Sequence, residues 1–174
     1  MTATGEAAPA FAAEEVVETF PALRALGLVR HGFIGRIPGL EVAIEREAAL
    51  SRLAEVHRRL RGELGLGVMP FATAEQVHGD RVAVIGEPLG ADCCAAGADG
   101  LVTNQPGVSL GICVADCCAI YLVDPVRRAI GLVHSGKTRT AQPISPRSTE
   151  PMRDTLGPAL APPSAWPIGE ASGV

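Results

Sequence analysis

Aromatic side chains are nearly missing from this chain: Phe, Trp and Tyr together make up 3% of its 174 residues, with one Trp and one Tyr. A core therefore has to be assembled from Val, Leu, Ile and Ala. Excess positive charge is missing too. A formal net charge of -4 leaves no electrostatic footprint for nucleic acid, and no basic membrane-surface helix is evident. The start, "MTATGEAAPAFAAEEVVETF", has neither a basic leader nor a long apolar run, so a secretory signal is not expected. The longest apolar stretch, residues 108–123, is short for a membrane span and contains Asp116, which is costly in lipid. These absences point to a cytoplasmic protein with neither a nucleic-acid nor a membrane partner.

Cysteines are odd in number, at five. Four of the thiols form adjacent pairs, Cys93-Cys94 and Cys117-Cys118, and Cys113 stands alone. Neighbours in sequence make poor disulfides, and a reducing compartment disfavours them further. The readings left are metal ligand, nucleophile or small apolar side chain.

What is present is apolar residue: 47% of the chain, enough for one domain with a sizeable core or for part of a larger one. Residues 1–20 read as a weakly ordered lead-in, 21–140 as the folded domain, and 141–174 as an irregular tail rich in Pro, Ser and Ala. A short helix is the most that tail suggests, near residues 150–156. Over residues 45–64, Leu50, Leu53, Leu60 and Leu64 recur at helical spacing among charged positions, with His57 near the stripe as a structural residue.

Downstream come short apolar runs: "VMPFATAEQVHG", "RVAVIG", "DGLVT", "VSLGICVAD", "CAIYLVD" and "AIGLVHSG". Residues 90–98 read as a Gly/Ala/Cys loop. "DPVRR" reads as a tight turn that joins the last two runs into a hairpin. The fold class expected is α/β (α+β), with a mixed, antiparallel-rich sheet and flanking helices.

The string ADCC occurs twice, at residues 91–94 and 115–118. In the second copy an acid and two thiols interrupt what reads as a buried strand. His78 ends one predicted strand, His134 ends another, and Cys117 lies in the run before the hairpin. Strand ends on one edge of a sheet can converge, and two imidazoles with one thiolate suit zinc. Spacing alone leaves the other reading open, in which both histidines are turn residues and Cys117 is a core thiol.

"EQVHGD", "ADGLVT", "LGICVADCCAIYLVD" and "AIGLVHSGK", in this order, resemble the YfiH/LACC1 family. Its members are described as multicopper polyphenol oxidoreductases (laccase-domain proteins) or as purine nucleoside phosphorylases. "HGFIGR", with His31, Phe33 and Arg36, resembles an early element of the same family. The resemblance implies a YfiH/CNF1-like architecture, incomplete here at its C-terminal side. It also implies a zinc site on His78, Cys117 and His134, with copper as the alternative metal. The activity implied is phosphorolysis of adenosine, inosine, guanosine and methylthioadenosine, with adenosine deamination beside it. Purine nucleoside and phosphate are then the partners.

Asp116 and Asp99 become the candidate catalytic carboxylates, and Arg36, Lys137 and Arg139 the candidate phosphate-binding cations. A turn cap is the plainer reading of Asp99, and a solvated loop residue that of Arg36. The chain departs from the pattern after His134. Ser135-Gly136-Lys137-Thr138-Arg139 stands where the family has Ala-Gly-Trp-Arg-Gly, and the strands that follow in the family are not evident. A metal-binding remnant without turnover, a copper-dependent polyphenol oxidase and a cysteine hydrolase using Cys117 are the competing readings.

Overall fold

The computed structural model describes residues 11–136. They fall into two compact units, the first ending at Val68 and the second beginning at Met69. Among the described residues, no helix is long and apolar enough to cross a membrane.

In the first unit, helix α1 (Ala13–Val16) leads into strand β1 (Val17–Glu18), which pairs antiparallel with β2 (Phe33–Ile34). Helix α2 (Pro21–Leu26) lies between them in sequence. It opens on Pro21, whose fixed φ suits a first turn, and stops at Gly27 in the left-handed region. Residues 13–18, within the stretch expected to be a weakly ordered lead-in, carry helix and strand. Val16 and Val17 supply apolar groups to this unit's core, and that burial orders them.

Helix α3 (Arg46–Glu63) is capped by Glu45, whose carboxylate accepts the Glu47 and Ala48 backbone N–H groups at 3.0 and 3.3 Å. Its inward face is Leu53, Val56 and Leu60, packed with Val16 and Ile37. The expected stripe fails at Leu50, which is 41% exposed. Steps of three and four from Leu53 reach Val56 and Leu60, and Leu50 falls outside the cluster they form. His57 is half-buried beside Arg61. Burial, and then the Arg61 charge, hold its imidazole below the ordinary histidine range, as suits a packing residue.

The second unit holds two sheets. β3 (Phe71–Ala74) is the middle strand of the smaller one, flanked in parallel by β5 (Cys93–Ala95) and β7 (Ser109–Gly111). The larger has the order β4 (Val82–Ile85), β6 (Gly100–Thr103), β9 (Ala129–Ser135), β8 (Cys118–Asp124). β4 and β6 run parallel, and the other two pairings are antiparallel. The described residues thus combine a first unit of three helices and a two-stranded sheet with a second unit of mixed parallel and antiparallel sheets.

Alternation along β6 shows how the sheet is buried. Leu101 joins a cluster with Ala72, Ala74, Ala83, Ala98 and Val108, whereas Val102 joins one with Val82, Leu122 and Val133. Successive side chains face opposite ways, so the central strand is covered on both sides.

The β8–β9 hairpin turns at residues 125–128, with Arg128 in the left-handed region. Asp124 closes it. Its Oδ1 accepts the Val126 and Arg127 backbone N–H groups, each at 2.9 Å, and its Oδ2 accepts Arg127 Nη1 at 3.0 Å. Burial pushes this carboxyl up, but those hydrogen bonds outweigh it and hold the group below its ordinary range.

Two segments of the second unit also differ from the sequence expectation. Residues 93–95, expected within a loop, form β5. Residues 115–117, expected inside a buried strand, form a bend before β8, with Ala115 and Asp116 exposed.

Candidate metal centre

The strand register brings three distant residues together. β9 is antiparallel to β6, so the end of β9 lies beside the start of β6: Gly100 pairs with Val133. One step further sets Asp99 opposite His134, and the His134 N–H donates to the Asp99 carbonyl at 2.8 Å. In the hairpin, Cys118 pairs with Ser135, so Cys117 enters the same end of the sheet. β4 is parallel to β6, with Val82 beside Gly100, so His78, four residues ahead of Val82, reaches that end too.

One ligand atom each from His78, Cys117 and His134 lies within 4.8 Å of the other two. The two imidazoles meet edge to face with ring centres 5.1 Å apart. His134 is buried, Cys117 half-buried and His78 exposed, so the cluster has a dry side and an open side. Two imidazoles and a thiol converging in this way form a donor set that fits a metal ion. The Cys117 thiol also donates to Asp116 Oδ1 at 3.5 Å.

Behind the cluster sits Asp99, 3% exposed at its side chain. Its Oδ1 lies 3.2 Å from His134 Nδ1 and accepts the His78 backbone N–H at 2.8 Å. Its Oδ2 accepts the Gly79 N–H at 2.6 Å. A Cβ on Gly79 would come within 3.2 Å of that oxygen, so glycine leaves the carboxylate room. His78 itself is held at φ 62, a left-handed conformation that a non-glycine residue adopts at a cost.

Gln76 is the residue that the sequence reading missed. It is 8% exposed and sits at φ 61. Its amide makes a two-way bridge to Cys113: Nε2 donates to the Cys113 carbonyl at 2.5 Å, and Oε1 accepts the Cys113 N–H at 2.7 Å. The segment leading to Cys117 is thereby tied to the segment leading to His78. The available signal was a polar side chain two places before His78, at the end of an apolar run. Gln76→Ala removes both bonds, and a loss of about 1–3 kcal/mol of stability is expected, with weaker metal uptake. Thermal melts and a chelator competition check this; an unchanged metal affinity contradicts the tie.

Arg36 is exposed in the first unit. Lys137 and Arg139 lie outside the described residues. His31 has a packing role: its Nε2 accepts the Phe20 N–H at 2.8 Å, and its ring stacks on Phe20. In the first ADCC copy, Asp92 accepts the Phe71 N–H at 2.8 Å, so that carboxylate serves the entry to β3.

With this geometry in hand, the relatives can be placed. The chain belongs to the family described as multi-copper polyphenol oxidoreductase laccase, whose model matches residues 28–168. It is 35% identical over 140 residues to a purine nucleoside phosphorylase of Deinococcus radiodurans, covering 76% of this chain and 53% of that protein. It is 38% identical over 79 residues to purine nucleoside phosphorylase ORF3 of Streptomyces griseus, covering 45% and 32% respectively. The solved structure of YlmD from Geobacillus stearothermophilus aligns with a TM-score of 0.45 at 31% identity, over 64% of this chain and 44% of that one. The chain thus spans about half, or less, of the length of these relatives.

Proposed function

We propose that this chain binds one zinc ion through His78, Cys117 and His134, and that metal binding is its primary property. The observation that carries this reading is the convergence of the three ligand atoms within 4.8 Å. Three protein donors match the count at catalytic zinc sites, which keep one further position for water or substrate. When bound, zinc would supply Lewis-acid polarisation of a purine ring or of a water. The chain's own residues do the rest. Asp99 holds the rear of His134, Gln76 ties down the segment before Cys117, and Asp116, which accepts the thiol's hydrogen bond while no metal is bound, stands beside the sulfur.

A finer reading is purine nucleoside phosphorolysis, favoured by the shared name of the relatives above. Phosphate would attack the anomeric carbon as the purine leaves, and adenosine deamination would use the same centre. Lys137 and Arg139 follow His134 by three and five places and are the cations proposed for phosphate. Arg36 keeps the family motif as its support. Asp116, exposed beside the thiol, is the carboxylate proposed to meet substrate.

The test is metal content by elemental analysis of the purified, dialysed chain, followed by incubation with adenosine or inosine and phosphate. About one zinc per chain with release of free base and ribose 1-phosphate supports both readings. One zinc without turnover leaves the metal-binding reading alone. Copper in place of zinc, with phenol oxidation, overturns the zinc assignment in favour of the oxidase.

A further inference from the structure

We infer that Asp99 is the positioning residue of this metal site, fixing the tautomer of His134 and the backbone of His78 with one carboxylate. The inference rests on the metal-binding reading and goes beyond it, because it assigns Asp99 a task other than proton transfer.

An ionised carboxylate only accepts hydrogen bonds. His134 Nδ1, 3.2 Å from Asp99 Oδ1, must therefore carry the imidazole proton to bond there. The lone pair is then left on Nε2, available to a metal. A buried carboxylate behind a ligating histidine sets its ring orientation and basicity in this way. The same oxygen accepts the His78 N–H at 2.8 Å, and its partner oxygen the Gly79 N–H at 2.6 Å. These bonds hold His78 in its left-handed conformation. One side chain thus aligns two ligands that are 56 positions apart, counting from 78 to 134. Three donors already converge on its two oxygens, and the side chain is 3% exposed, a poor arrangement for exchanging protons with substrate.

Asp99→Asn keeps the shape but turns one acceptor into a donor. With three donors facing a single remaining oxygen and an NH2 group, at least one of these bonds is lost. Zinc affinity is expected to fall by about 10–100-fold.

Two measurements test the inference. The first is the imidazole 15N spectrum of the metal-free wild-type chain at about pH 8, above the ordinary histidine range. The expected result is the Nδ1–H tautomer at His134; the Nε2–H tautomer there overturns the inference, whether or not the variant folds. The second is zinc affinity of Asp99→Asn by chelator competition, with circular dichroism beside it. A folded variant that binds zinc as tightly as wild type overturns the positioning role while leaving the metal site standing. Conversely, a wild type with fixed Nδ1–H at His134 but no zinc uptake leaves the orientation of His134 and His78 by Asp99 standing and sinks the metal reading on its own.

Discussion

A chain carrying Cys117→Ala is expected to lose stoichiometric zinc while keeping its fold. Cys117 lies in the bend before β8, half-buried, and belongs to none of the apolar clusters. Its truncation removes a sulfur from the rim of the sheet rather than from the core, so little stability depends on it. For the metal, the same sulfur is one of three donors, and the one that brings negative charge. Loss of a supporting residue behind a ligand costs about 10–100-fold in affinity; loss of the ligand itself is expected to cost more. Elemental analysis after dialysis, with circular dichroism as the folding control, reads both effects. A Cys117→Ala chain that retains one zinc removes Cys117 from the site.

The second large effect is expected at Leu101. It is fully buried at the centre of β6, between β4 and β9. Leu101→Ala deletes the largest of the buried side chains in a cluster whose other buried members are Ala72, Ala74, Ala83, Ala98 and Val108. The four alanines have no rotamers with which to fill the hole, so any closure falls to Val108 and to the partly buried Ile85, Leu89, Leu110 and Ile112 around it. A cost of about 2–5 kcal/mol is expected, toward the upper part of that range. Denaturant melts measure it. A loss below about 1 kcal/mol would mean that the cluster relaxes, contrary to the packing described. The same strand start carries Asp99, so zinc affinity is expected to fall with it.

Much of this was legible in the sequence because strand ends are marked by polar residues. The Asp-Pro step at 124–125 announces the hairpin, and its register then delivers Cys117 and His134 to one end. His78 and Asp99 follow because each closes or opens an apolar run. What stayed hidden depends on pairings that sequence does not display. β5 consists of Cys93, Cys94 and Ala95, none of them β-branched or aromatic, and it pairs in parallel with β3. Gln76 looks like a surface residue until the loop from β7 folds back beside it. Asp99 read either as a proton carrier or as a turn cap, and its hydrogen bonds to the His78 and Gly79 N–H groups and to His134 are pairings that the sequence does not display. The second ADCC read as a buried strand, because the apolar run continues on both sides of a bend that only the tertiary structure creates.

The central claim is that His78, Cys117 and His134 hold one zinc ion. Zinc-edge X-ray absorption of the zinc-loaded chain tests it most directly. The account predicts one sulfur at about 2.3 Å and two imidazole nitrogens at about 2.0–2.1 Å. A shell of nitrogen and oxygen without sulfur, or a folded chain that takes up no stoichiometric zinc, would contradict it.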